Sequence, residues 1–245
     1  LKINSFYEGF EADDINAWIS QGKWGGEAVS VERFQLVSSP VRAGEKAMKI
    51  TVLPGDVAAK RNRAEIKQFN NDSVGSVGWY AWSFLVPSDY ADAPSWGTPF
   101  QIMGQWHDLP LPGVSWEEYP NNSPPVAINY RLLDGKSAFA LEYGVGKNRK
   151  QIALYYFEKG TWVDLVFHIN WSLAGDGFVE LWADGKPVTG FNGVDYRVYG
   201  ANMYNQVPNF LKLGLYRQDG FTTANSVYYD EVRFGNSREE VDKFK

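Results

Sequence analysis

Residues 209–219 read Asn-Phe-Leu-Lys-Leu-Gly-Leu-Tyr-Arg-Gln-Asp, and this stretch decides the fold. Strand side chains alternate between faces, so Leu211, Leu213 and Leu215 fall on one side. Lys212, Gly214, Tyr216 and Gln218 fall on the other. The leucine face is fit to seal a core. The opposite face carries a cation, a phenol and an amide, which suit water or a polar ligand.

The same division recurs outward from this stretch. Residues 29–37, 47–52, 61–69, 78–86, 99–107, 126–133, 137–143, 151–157, 162–171, 177–182 and 226–234 all have strand character. Asp-Gly pairs at 134–135, 176–177 and 184–185 mark tight turns. Residues 16–21 alone suit a helical turn. Residues 108–125 hold five prolines and read as one long irregular segment, expected as a groove wall or lid. About a dozen strands without linker or repeat predict an all-β, single-domain β-jelly roll over residues 1–245.

Composition narrows the partners. The net charge is −5 with no basic block, which argues against nucleic acid and mildly against a densely sulfated polymer. A chain of 245 residues builds a core without staples, and with no cysteine it has none. There is no charged-then-apolar leader and no apolar run long enough to span a bilayer. Ten Trp and fourteen Tyr suit β strands and also suit stacking on sugar rings.

Two further strands divide like the first. In 61–68, Arg61, Arg63, Glu65 and Lys67 share a face opposite Ala64 and Ile66. In 99–107, Gln101, Met103, Gln105 and His107 share a face opposite Ile102, Gly104 and Trp106. If the three polar faces line one concave sheet, they assemble a cationic groove. That inventory suits abstraction of the C5 proton of a uronate. The carboxylate must be neutralised, a base must take the proton, and an acid must meet the departing C4 oxygen. Arg63 and Gln105 are candidates to hold the carboxylate where enolate charge develops. Tyr216 serves as base only as a phenolate, a form that Lys212, Arg217 or Arg63 nearby would favour. His107 is the rival base or a partner in proton transfer. In β-linked glucuronate and mannuronate H5 and O4 lie on the same side, so one tyrosine can do both transfers. Guluronate and iduronate need two residues.

At these residues the chain resembles a known family. Arg63-Ala-Glu65, Gln105-Trp-His107 and the 210–218 strand are similar to the three signature strands of jelly-roll polysaccharide lyases. Alginate lyases carry them as Arg-x-Glu, Gln-x-His and Lys-x-Gly-x-Tyr-x-Gln. Stretches 162–171, 177–186, 212–217 and 228–232 resemble more closely the glucuronan lyase and heparin lyase group. The resemblance implies a concanavalin A-like two-sheet sandwich with a concave substrate groove. It also implies an endo-acting lyase for a β-1,4-linked polyuronate, with glucuronan first and alginate second. In that group a histidine, a tyrosine and a lysine four residues before the tyrosine carry the chemistry, matching His107, Tyr216 and Lys212. Trp106 departs from the Ile usual in the alginate motif.

The catalytic set expected is therefore Tyr216, His107, Gln105 and Arg63, with Lys212, Gln218, Arg217, Lys67 and His168 as substrate-binding residues. His168 shares a polar face with Trp162, Asp164 and Asn170; the alternative is an interfacial histidine bonded to a neighbour. Glu65 is expected to orient Arg63 or Lys67. Trp116, Tyr119, Tyr155 and Tyr156 are stacking candidates or packing residues. The resemblance further implies a structural calcium held by Glu11 and Asp230, completed by carbonyls around Gly44. A monomer acting on an acidic polysaccharide is expected, and because polymers of that size are met outside the cell, so is secretion to an extracellular or periplasmic location as a mature chain. A non-catalytic carbohydrate-binding module is the alternative on the same fold. A laminarinase-like hydrolase needs a Glu-x-Asp-x-x-Glu strand, and Glu180-Leu-Trp-Ala-Asp184 lacks the second Glu.

Overall fold

The computed structural model describes residues 1–69, 72–93, 99–190 and 196–244. In chain order the strands among them are β1 (Phe6–Glu8), β2 (Gly25–Glu27), β3 (Phe34–Val37), β4 (Ala47–Val52), β5 (Asn62–Gln68), β6 (Val77–Leu85), β7 (Gln101–His107) and β8 (Val126–Leu133). They continue as β9 (Lys136–Tyr143), β10 (Lys150–Tyr156), β11 (Trp162–Asn170), β12 (Phe178–Ala183), β13 (Lys186–Pro187), β14 (Arg197–Tyr199), β15 (Phe210–Arg217) and β16 (Asn225–Gly235). Two short helices, α1 (Ile15–Ser20) and α2 (Arg238–Val241), complete the elements. Neither is long and apolar enough to cross a membrane.

The strands make two antiparallel sheets, the jelly roll expected. One sheet runs β10-β9-β8-β7-β15-β5-β2. The other runs β13-β12-β11-β6-β16-β4-β3, with β1 added on β16 and β14 on β12. The consequence for the site lies in the first order. β7, β15 and β5 come from distant parts of the chain and lie side by side, so the three divided strands share one sheet.

Their apolar faces meet the other sheet. Leu211, Leu213, Leu215, Ala64 and Ile66 are fully buried in one cluster with Tyr80, Trp82 and Phe167. Trp106 explains its departure from the alginate pattern here. It points into the core, with ring centroids 5.2 Å from Tyr80 and Phe167, 5.4 Å from Trp82 and 5.8 Å from Trp171. An indole of that size fills space that an isoleucine would leave empty, and such burial stabilises the fold by roughly 1.5–3 kcal/mol per large side chain.

Three local expectations need correction. Strand 29–37 begins only at Phe34, because the Ser30 hydroxyl accepts the Glu32 N–H and starts a 3-10 turn over Val31–Arg33. β2, unforeseen, pairs with β5 and sets Glu27 opposite Glu65. The alternation in 99–107 breaks at a register shift: Leu213 pairs with Gly104, but Tyr216 pairs with Ile102. Gln105 and His107 stay on the outer face. Met103 turns into the core, and Gln101 accepts a hydrogen bond from the buried Tyr90 hydroxyl at 2.7 Å. Ile102 takes the outer position.

The irregularity is braced from the other sheet. The Tyr229 hydroxyl of β16 crosses the core to within hydrogen-bond distance of the Gly214 carbonyl (2.7 Å) and the Met103 carbonyl. Gly214 itself has φ +149°, and a Cβ there would stand 2.2 Å from the Ala64 carbonyl oxygen. Backbone cannot yield as a flexible side chain does. Gly214→Ala is therefore expected to destabilise the fold by on the order of 2–4 kcal/mol. Urea unfolding measures it, and a loss below about 0.5 kcal/mol, the ordinary surface range, would contradict the brace.

Candidate active site

The outer faces of β5, β15 and β7 form the floor of a cleft, and hydrogen-bond register aligns their residues. Lys67, Lys212 and Gln105 lie in one row across the strands; Arg63, Tyr216 and Ile102 lie in another. Three cations on one floor would repel each other unless paired. Glu65 and Glu27 pair them. Lys212 Nζ lies 2.8 Å from both Glu27 Oε1 and Glu65 Oε2. Arg63 Nη1 lies 2.8 Å from Glu27 and 3.4 Å from Glu65, and Lys67 lies 3.2 Å from Glu27. Gln105 donates its amide to Glu65. The cationic groove expected is thus a largely compensated ion cluster with one cation in surplus.

The cluster sorts the expected residues by depth. Lys212 is only 3 % exposed and Gln105 is fully buried. Neither is open to a ligand, so Gln105 steadies Glu65 instead of holding a carboxylate itself. Arg63 is 8 % exposed and lines the cleft. Its guanidinium carbon sits 3.8 Å from the Tyr216 ring centroid, and Phe100 packs edge-on against the same ring at 4.9 Å. Tyr216 is half-buried and lines the cleft. Burial alone would raise the Glu27 carboxyl, but Lys212, Arg63 and Lys67 outweigh it and hold Glu27 down at about 2.

His107 stands in the same cleft, five residues along β7 from the partner of Tyr216, roughly 17 Å between backbones at strand rise. Its Nδ1 is 2.9 Å from the Asp108 carbonyl and 3.1 Å from the Asp108 carboxylate. Two acceptors at Nδ1 assign the proton there and leave Nε2 as the nitrogen free for proton exchange. Asp108 is 1 % exposed and is pinned by the Tyr119 hydroxyl at 2.6 Å and the Asn122 amide at 2.7 Å. Burial pushes its carboxyl up, yet the bonds from His107, Tyr119 and Asn122 bring it below its ordinary value.

The segment 108–125 forms a wall, as expected. Asn121, Asn122, Ser123 and Pro124 line a cleft of about 280 Å³, and Trp116 stands 6.1 Å from the His107 ring. Tyr119 works as an anchor: its hydroxyl also accepts from Asn205 at 2.7 Å. Tyr155 bonds Asp184 and stacks on Phe139. Tyr156 is exposed on β10.

Two expected binding residues lie elsewhere. Arg217 is fully buried on the leucine face of β15, bonded to Asn62 and, at 2.9 Å, to the Thr223 carbonyl. Alternation from Tyr216 requires that side. His168 belongs to β11 in the other sheet; it bonds Glu180 and stacks on Trp79 at 4.1 Å. Burial lowers its pKa. Gln218 is half-buried beyond the end of β15, where its N–H donates to the Phe100 carbonyl at 3.1 Å.

Glu11 and Asp230 grip one loop from two sides, but through amides. Glu11 accepts the N–H of Glu45 and Lys46, and Asp230 accepts those of Arg42 and Ala43. Calcium wants six to eight oxygens. N–H groups present the wrong charge to a cation, and no cluster of three or more His, Cys, Asp or Glu suited to a metal occurs among the described residues. The pair as built does not fit the ion.

Glu27, Asp108, Arg131, Glu142 and Arg149 were not anticipated. Asp108 directly follows His107, and alternation of 126–133 sets Ala127, Asn129 and Arg131 on the polar face, so those two were findable. Glu27 follows two glycines and carries no periodic signal.

A family model described as polysaccharide lyase matches residues 10–233. No curated protein sequence matches the chain. Among solved structures, an endo-β-1,4-glucuronan lyase from the fungus Trichoderma reesei is similar at TM-score 0.59 and 20% identity, covering 88% of this chain and 89% of that one. A variant of the alginate lyase Aly36B bound to an alginate trisaccharide is similar at 0.59 and 13%, covering 96% and 98%. A glycoside hydrolase family 131 catalytic domain from Coprinopsis cinerea is similar at 0.59 and 15%, covering 88% and 83%. These likenesses show the shared fold.

The depressed Glu27 carboxyl gives a stability test with a definite sign. Its folded value lies below its ordinary 4.5, so its contribution is whole above about pH 5 and is lost as pH falls toward 2. Glu27→Gln is expected to be less stable at pH 7 by on the order of 2–3 kcal/mol, with the gap closing at pH 2–3. Urea melts at both pH values measure it; an equal gap at both would refute the ion cluster's role.

Proposed function

The chain belongs to the polysaccharide lyase family, and from that premise we propose that it cleaves a β-1,4-linked polyuronate, glucuronan in first place, by β-elimination within the polymer. The observation that carries this reading is Arg63 stacked on Tyr216 in a cleft that His107 also lines. A uronate carboxylate laid beside Arg63 exchanges charge with a guanidinium already oriented by Glu27 and Glu65. Its C5 proton then faces the phenol oxygen. Tyr216, as phenolate, takes that proton, the C5–H electrons form the C4=C5 double bond, and the C4–O4 bond breaks. In glucuronate H5 and O4 are on one side, so the same phenol can return the proton to O4.

With one phenol making both transfers, His107, held by Asp108 with Nε2 free, lines the cleft further along β7, beside a flanking sugar. Lys212 and Gln105 act from beneath by fixing Glu65, and Lys67 meets acidic polymer at the rim. Modest surplus charge supports an unsulfated polyuronate over a densely sulfated one, which would demand more uncompensated cations. Alginate rich in mannuronate is the second reading, because it presents the same H5 and O4 geometry. Polymers of this kind are met outside the cell, so we place the enzyme's action there, as a secreted monomer.

Glucuronan, polymannuronate, polyguluronate and heparin incubated side by side should separate the readings. A lyase leaves a 4,5-unsaturated uronate end that absorbs in the near ultraviolet; glucuronan is expected to respond fastest. Reducing ends without absorbance would identify a hydrolase, and binding without either a carbohydrate-binding module. Tyr216→Phe is expected to lower kcat by at least about 1,000-fold while oligouronate binding persists, because general acid–base groups contribute about 10²–10⁴ each and this one acts twice. Retained turnover would move the base role to His107.

A further inference from the structure

The cleft holds a second ionic group that the elimination does not use. Arg131 of β8 and Arg149, between β9 and β10, converge on Glu142 of β9. Arg131 Nη2 is 3.2 Å from Glu142 Oε1, Arg149 pairs with Oε2, and the Asn129 amide donates to Oε1 at 3.0 Å. Glu142 is 8 % exposed and acts as the hub. Two guanidiniums share one carboxylate, so the group carries one positive charge in surplus, and both arginines line the cleft.

Its position follows from register. Gln105 pairs with Ala127 and Ala127 with Glu142, so the hub stands two strand spacings, about 10 Å, from the Gln105 row. The row of Tyr216 continues through Ile102 of β7 to Asn129 of β8, which bonds the hub, and all three line the cleft together with Glu142 and both arginines. A chain lying over Tyr216 and crossing the strands would pass Ile102 and Asn129 and meet the arginine pair.

We propose that Arg131 and Arg149 form a second carboxylate subsite, which takes a neighbouring uronate of the same polymer, with Glu142 as the residue that positions both. The inference rests on the polyuronate reading above. It assigns a cause to preference for runs of acidic sugar: one carboxylate is met at Arg63 and another at the arginine pair. Arg149 also donates to the Pro124 carbonyl at 2.6 Å and so ties the wall to the subsite, whereas Arg131 makes no bond to that wall among the described residues. Arg131 is the cleaner probe.

Steady-state cleavage of glucuronan by Arg131→Gln tests it. KM is expected to rise about 10-fold with kcat within about twofold, the loss of one charge-assisted bond in ground and transition state alike. The salt dependence of KM should weaken as well. An unchanged KM, or a fall in kcat with KM constant, overturns the subsite. Arg131→Lys keeps the charge without the fork, and its KM is expected to rise only about threefold. If Arg131→Gln fails to fold, the lysine variant decides alone, and no rise overturns the proposal. Wild-type protein that forms no unsaturated product from any polyuronate refutes the elimination itself; a working enzyme with indifferent arginine variants refutes only the subsite.

Discussion

Burying charge requires pairing it, and in this molecule that constraint governs the working sheet. Glu65 at 1 % exposure and Lys212 at 3 % lie beneath a cleft where neither could stay charged alone. Each makes the other tolerable. Glu27 then brings Arg63 and Lys67 into the same set, which is why a three-residue strand with two glycines is held at the edge of β5. Removing either carboxylate leaves cations without a partner in a place with little water. The functional effect is fixation: Arg63 cannot swing away from Tyr216 without abandoning two carboxylates.

The scaffold converges on the same strand from below. Leu211, Leu213 and Leu215 pin β15 to the core, and the Tyr229 hydroxyl meets the carbonyls at the register shift. That shift sets Tyr216 opposite Ile102, an apolar and short neighbour, instead of a second polar side chain. Glycine at 214 is what lets β5 approach at this point. Packing thus places the phenol, and electrostatics dresses it.

Periodicity made much of this legible. The leucine alternation in 209–219 located the core and named Lys212 and Tyr216 as outward residues, and 61–68 yielded Arg63, Glu65 and Lys67 on one face. Arg217 shows the limit of motif carried over without geometry, since the same alternation that exposed Tyr216 buried its neighbour. His168 shows another limit: a polar strand face does not reveal which of two sheets it belongs to. The register shift at Ile102–Gly104 was illegible because a bulge is a property of three strands together, and Glu27 because its role depends wholly on a partner strand distant in sequence.

Fold likeness alone leaves lyase and hydrolase equally open, as the glycoside hydrolase among the similar structures makes plain. The side chains separate them. A retaining glycosidase needs one carboxyl group kept protonated near neutrality and a second free to attack. The carboxylates of this cleft are otherwise employed: Glu27 is held ionised down to about pH 2, Glu65 is tied to Lys212, Arg63 and Gln105, and Glu142 lies between two arginines. Each is an anchor for a cation. What the cleft leaves accessible is a phenol beneath a guanidinium and an imidazole nitrogen opposite a polar wall, groups suited to moving a proton from carbon to oxygen beside an anionic sugar.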